Sequence, residues 1–159
     1  MKNIYHVLAD FKISYEKYEH PAVFTVAEAH EQDRNIPGGK TKNLFLRNKK
    51  ADKYYLVVVE STKRIDLKKL AIELGESKFS FGSPDKLKEL LNLKPGSVSP
   101  FGLINDHKKI LNVVIDNDLL MYEKVGFHPN LNTATLVISV VDFQKFLSCS
   151  QNKIIYLDL

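Results

Sequence analysis

The chain has 159 residues, 44% of them apolar, and 23 Lys plus Arg against 19 Asp plus Glu give a net charge of +4. These values fit a single globular domain spanning 1–159 and exclude a disordered, fibrous or low-complexity chain. No apolar run approaches the roughly 18 residues a membrane span needs, the charge-broken N-terminus is no signal peptide, and one Cys cannot form an internal disulfide. A soluble, cytoplasmic protein is expected, and the modest positive charge suits a polyanionic partner without identifying one.

In chain order, Ile4, Val7, Leu8 and Phe11 fall at helical spacing, and ISYEKYE (13–19) alternates like a strand. Thr25 and Glu28 form a capping box that opens a second helix, which the breaker Pro37-Gly38-Gly39 ends. TKNLFLRN and KYYLVVVES, separated by polar residues, predict a hairpin over 41–60. Asp66 caps a helix closed by Gly75, KFSF reads as a short strand, and Ser83-Pro84 starts the helix of DKLKELLNL. Residues 95–106 lack a period and read as a loop. LNVVID and MYEKVG read as strands around a 117–120 connection, TATLVIS as a strand, VDFQKFLS as a late helix and KIIYL as a last strand. The expectation is an α+β fold, with a mixed, largely hairpin-built sheet curved around one core and flanked by helices.

Three segments carry more polar character than connecting loops require: 38–46, 95–103 and 126–135. Strand alternation puts Lys42 on the face of Leu44 and Leu46, with Asn43 and Phe45 opposite. Lys42 either points inward, where a desolvated ammonium needs an anionic or carbonyl partner, or snorkels out beside Gly39. His128 stands between Gly126-Phe127 and Pro129, neighbours that fix the backbone and aim the ring. It either handles or donates protons to a substrate or is satisfied by a nearby carbonyl. His6, His20, His30 and His107 show no metal-ligand spacing, so no metal site is expected. Ser97 and Ser99 form no nucleophile elbow, and Cys149 lacks an activating neighbour. No phosphate loop or dinucleotide motif appears, so no cofactor is indicated.

TKNLFLRNKK with KYYLVVV, then SPDKLKELLNLKPGSVSPFGLIND, then GFHPNLNTAT, together resemble the prolyl-tRNA editing family, the YbaK/ProRS-associated domain. Within it they look most like the freestanding alanyl-tRNA(Pro) deacylases, ProXp-ala, from about His20 to Ser139. The resemblance implies a mixed sheet wrapped into a pseudo-barrel and hydrolysis of the ester joining a wrong amino acid to tRNA. It makes Lys42 the hallmark functional residue, with His128 as the second catalytic group. Phe24, Asn43, Ser99, Pro100, Gly102, Gly126, Asn132 and Thr133 become substrate-binding positions, with Gly102 and Gly126 letting backbone N–H groups approach the ester. The implied partners are the acceptor end of mischarged tRNA(Pro) and prolyl-tRNA synthetase, with no membrane, DNA or cofactor. The cysteine-specific YbaK branch has Gly-Gly before its Ser-Pro and an arginine-bearing glycine segment. Here those places read Gly96-Ser97-Val98-Ser99-Pro100 and Gly126-Phe127-His128-Pro129, which favours the alanine branch. Cys-tRNA(Pro) deacylation, a non-catalytic tRNA-binding module and a small-ester hydrolase are the alternatives.

Overall fold

The computed structural model describes residues 3–22 and 35–159. Phe24 and the capping-box helix from Thr25 lie outside the described residues. A first helix, α1 (Ile4–Asp10), is capped by the Asn3 side chain and buries Ile4 and Leu8. Eight strands follow: β1 (Glu16–Glu19), β2 (Thr41–Asn48), β3 (Tyr54–Glu60), β4 (Phe79–Phe81), β5 (Leu111–Asp116), β6 (Lys124–Phe127), β7 (Ala134–Ser139) and β8 (Lys153–Leu157). Between them lie α2 (Leu67–Glu73), α3 (Pro84–Leu91) and α4 (Val140–Ser150).

The α+β class holds, but one curved sheet does not. The strands form a five-stranded sheet in the order β4-β2-β3-β5-β8 and a three-stranded sheet β1-β7-β6. Among the described residues a single parallel bridge, Gly39 to Val125, joins them without closing a barrel. The β2–β3 hairpin pairs Thr41 with Glu60 through Arg47 with Tyr54, as its pattern predicts. β3, β5 and β8 are mutually parallel. Their connections are therefore crossovers carrying helices, which is why β3 is buried along nearly its whole length. β5 and β6, read from the sequence as neighbours, belong to different sheets because Asn117–Met121 coils into a 3-10 turn between them.

Two hydrophobic clusters flank the five-stranded sheet. The larger one, containing Phe101, Phe127, Phe143 and Phe146, fills the space between the two sheets with α1, α3 and α4 around it. The smaller one packs Leu46, Val57, Val59 and Val114 against Leu70 and Ala71 of α2. Helix ends follow their sequence signals. Asp66 accepts from the main-chain N–H groups of Lys68 and Lys69, Ser83 caps α3 ahead of Pro84, and Gly75 takes φ +73° just past α2. The 95–106 loop contains a 3-10 helix, Pro100–Asn105, for which Ser99 accepts from the Phe101 N–H and proline supplies the first turn.

Candidate functional site

Lys42 and Asn43 occupy the first half of β2, both half-buried. Across the ladder Lys42 faces Val59 and Asn43 faces Val58. Directly opposed residues share a face, so Lys42 lies on the side of the smaller cluster and Asn43 on the side of the larger one. The alternation read from the sequence is thus present, and it separates the two side chains because this sheet is covered on both faces. Among the described residues no carboxylate pairs with the Lys42 ammonium. Asn43 lines a pocket of about 190 Å³ whose other walls include Phe45, Phe81, Leu87, Pro95 and Val98. Its Oδ1 is buried with no hydrogen-bond partner among the described residues. A buried acceptor left empty is unusual and costs roughly 1–3 kcal/mol, which makes this atom a place where a donor is wanted.

The start of β2 is stitched to the end of β6. Gly39 N–H donates to the Lys124 carbonyl at 2.8 Å, Gly126 N–H to the Gly39 carbonyl at 3.3 Å, and Thr41 Oγ1 to the Gly126 carbonyl at 2.9 Å. The two glycines that read as a breaker are what make this seam possible. Gly38 takes φ +91°, and a Cβ there would come within 2.9 Å of the Lys124 carbonyl oxygen, while one at Gly39 would strike the Tyr122 ring at 2.7 Å. The seam puts the His128 segment beside the strand carrying Lys42 and Asn43.

The half-buried His128 ring is fixed by its Nδ1, 3.1 Å from the Ala134 carbonyl. A carbonyl can only accept, so Nδ1 carries a proton. The carbonyl partner that one reading of the sequence gave this histidine is therefore present. The His20 ring meets His128 edge-on at 6.2 Å between centroids. On the same three-stranded sheet Glu16 and Lys124 pair at 2.7 Å. Hydrogen bonds from Lys124 and then Tyr18 hold the Glu16 carboxyl below its ordinary pKa.

Three positions behave differently from the expectation drawn for them. The Gly102 N–H is donated to the Ser99 carbonyl at 3.0 Å, and a Cβ there would meet Leu93 at 2.7 Å, so this glycine serves core packing and offers no donor to an ester. The Gly126 N–H is spent on Gly39, and its missing Cβ makes room for the Thr135 methyl, 3.0 Å from where that atom would lie. Ser99 is fully buried as a cap and, with buried Pro100, shapes the loop beneath Val98. Asn132 is half-buried and Thr133 exposed, the latter with its carbonyl taken by the His20 N–H at 3.0 Å. Sequence reasoning passed over Thr41, His20, Thr135 and Asn130. Asn130 sits at φ +66° with its own buried Oδ1, which has no hydrogen-bond partner among the described residues. The signal for Asn130 was its place in the segment already singled out, but His20 becomes visible only through the β1–β7 register. A larger hollow, about 370 Å³ between α1 and α4, contains none of the predicted site residues.

The aminoacyl-tRNA editing domain model matches residues 20–146. The chain is 41% identical over 145 residues to the prolyl-tRNA editing protein ProX of Acetoanaerobium sticklandii, covering 91% of this chain and 88% of that one. It is 37% identical to the prolyl-tRNA synthetase associated domain-containing protein 1 of Bos taurus, covering 88% and 84%. Among solved structures, a candidate trans-editing enzyme for prolyl-tRNA synthetase superposes with a TM-score of 0.71 at 21% identity, over 100% of this chain and 98% of that one. This likeness carries the fold alone. With the family model spanning most of its length and a close relative along nearly all of it, the chain belongs to the aminoacyl-tRNA editing domain family.

Proposed function

We propose that residues 1–159 form one hydrolase domain that removes alanine from mischarged tRNA(Pro) in the cytoplasm. The observation that carries the reading is the 41% identity to a prolyl-tRNA editing protein along 91% of the chain. The site chemistry supports it: an ammonium with no carboxylate partner and a buried amide oxygen with no hydrogen-bond partner, both among the described residues, stand on opposite faces of β2, and an oriented imidazole lies on a segment bonded to that strand. The need for such an enzyme is physical. A synthetase pocket shaped for proline excludes smaller alanine only weakly, since a missing methylene is worth about 1–3 kcal/mol, and a second site must then hydrolyse the error.

The reaction needs no protein nucleophile. An aminoacyl ester is already activated, and a ribose hydroxyl lies next to the scissile carbonyl. Water attacks that carbonyl and the acyl–oxygen bond breaks; water's oxygen ends in the alanine carboxylate and a proton ends on the ribose oxygen. The protein's part is positioning and charge stabilisation. Lys42 holds the terminal phosphate or the carbonyl by charge, Asn43 accepts a hydrogen bond from the aminoacyl end, and His128 orients that end. Phe24, outside the described residues, and Asn132 and Thr133 are assigned to substrate binding on the family resemblance alone. Prolyl-tRNA synthetase, the source of the error, is the natural protein partner.

Incubating the purified protein with Ala-, Pro- and Cys-tRNA(Pro) tests this directly. Rapid loss of alanine with proline retained supports the proposal. Faster loss of cysteine assigns the chain to the YbaK-type activity instead, and binding without hydrolysis of any of the three leaves a tRNA-binding module.

A further inference from the structure

His20 belongs to none of the roles above, yet the fold ties it into the His128 corner from several directions. Its main-chain N–H donates to the Thr133 carbonyl at 3.0 Å. Its Nδ1 lies 3.0 Å from the Pro21 carbonyl and its Nε2 3.0 Å from Thr135 Oγ1. Because the Pro21 carbonyl can only accept, Nδ1 bears the proton, and in the neutral ring Nε2 accepts from the Thr135 hydroxyl. The contacts to Thr133 and Thr135 bracket Ala134, and the Ala134 carbonyl is what receives the Nδ1–H of His128. The two rings also touch edge to face at an interplanar angle of 60°. Gly126 helps by leaving space for the Thr135 methyl, which turns the hydroxyl of that residue over to His20.

We infer that His20 is a positioning residue for the editing reaction: by pinning residues 133–135 it fixes the tautomer and the aim of His128. A histidine whose other nitrogen is anchored presents a defined ring edge, and a displacement of about 1 Å in a positioned group can cost on the order of 10²-fold in rate. The inference rests on the reading of His128 as part of the site, and its test separates the two.

The experiment is single-turnover deacylation of Ala-tRNA(Pro) by the full chain, with His20→Ala, His20→Gln, His20→Asn, His128→Ala and the His20→Ala/His128→Ala double variant. His20→Ala is expected to lower the first-order rate about 10–100-fold while the tRNA concentration giving half-saturation stays nearly constant. Gln reaches the Nε2 position and keeps the Thr135 contact, so it recovers most of the rate. Asn reaches only the Pro21 carbonyl and recovers little. In the His128→Ala background, adding His20→Ala changes the rate by no more than about two-fold, because nothing remains to be positioned. Additive losses, or equal rates for the Gln and Asn variants, overturn the inference. The Gln–Asn pair also decides the matter if His20→Ala fails to fold, since each keeps one ring contact. Full activity of His128→Ala removes the underlying site reading, and the inference with it, whatever the His20 variants do.

Discussion

Asn43→Val separates function from stability at one atom. In the native fold Asn43 Oδ1 is buried without a hydrogen-bond partner among the described residues, on a face it shares with Phe45, Val58 and Leu56 of the large cluster. An unsatisfied buried acceptor costs roughly 1–3 kcal/mol, and valine replaces it with a β-branched side chain suited to a covered strand. The variant should therefore be more stable than the parent, with the melting temperature rising about 2–4 °C for each kcal/mol relieved in a chain of this length. If the same oxygen accepts from the charged aminoacyl end, deacylation should fall by the worth of one charge-assisted hydrogen bond, about 1.5–3 kcal/mol or roughly 10–150-fold. Thermal melts by circular dichroism and first-order decay of Ala-tRNA(Pro) read the two quantities on one preparation. A variant that edits at the parental rate refutes the functional half. A variant that melts several degrees lower shows that the empty acceptor stores no strain.

Lys42→Ala should leave melting unchanged, since the lysine has no carboxylate partner among the described residues, and should cut deacylation roughly 10²–10³-fold. Lys42→Arg should restore little, because a planar fork does not replace a compact ammonium; full activity of the alanine variant defeats the assignment. His128→Asn should keep part of the activity that His128→Ala loses, with a flat rate profile through about pH 6.5, where free imidazole titrates, and an inert substrate ending in 2′-deoxyadenosine. A wild-type inflection there that vanishes in the Asn variant, with full turnover of the deoxy substrate, would make His128 a general base. Burial, and then its hydrogen bond to Glu76, pushes the Tyr55 phenol up to about 12. The folded state holds that proton after the unfolded chain has lost its own near pH 10, so the contribution is complete below pH 10 and fades between about 10 and 12. Urea melts across that range should show the decline, and Tyr55→Phe should remove it.

What was legible in the sequence was local. The 41–60 hairpin, the Asp66 and Ser83 caps and the strand alternation at Lys42 are written in neighbouring residues, and they stand in the fold as read. The division into two sheets was not legible, because whether β5 and β6 pair depends on the 3-10 turn at Asn117–Met121 and on β8 arriving from far along the chain to take the free edge of β5. The same limit applied to the site. Lys42, Asn43 and His128 stood out in motifs, whereas His20 is marked only by where residues 133–135 come to rest. Gly102 and Gly126 illustrate a subtler failure. A glycine in a motif suggests an approachable backbone, but both donate their N–H groups within the protein and are small to admit Leu93 and the Thr135 methyl.

On the proposed function, the division into two sheets bears on how a site without a nucleophile would work. The proposed groups come from different sheets, Lys42 and Asn43 from opposite faces of a strand in the five-stranded one and His128 from the end of the three-stranded one, and positioning catalysis tolerates little relative movement between them. The rigid link is the short seam at Gly39, Thr41 and Gly126, where three hydrogen bonds of 2.8–3.3 Å fasten the two backbones within a few residues of the functional side chains. A side chain at Gly38 or Gly39 would push the strands apart at that seam, since both ideal Cβ positions lie under 3 Å from atoms of the opposing segment. On the proposed function the Gly-Gly pair would act through geometry: it holds the strand that carries Lys42 and Asn43, on its two opposite faces, against the end of the strand that leads to His128.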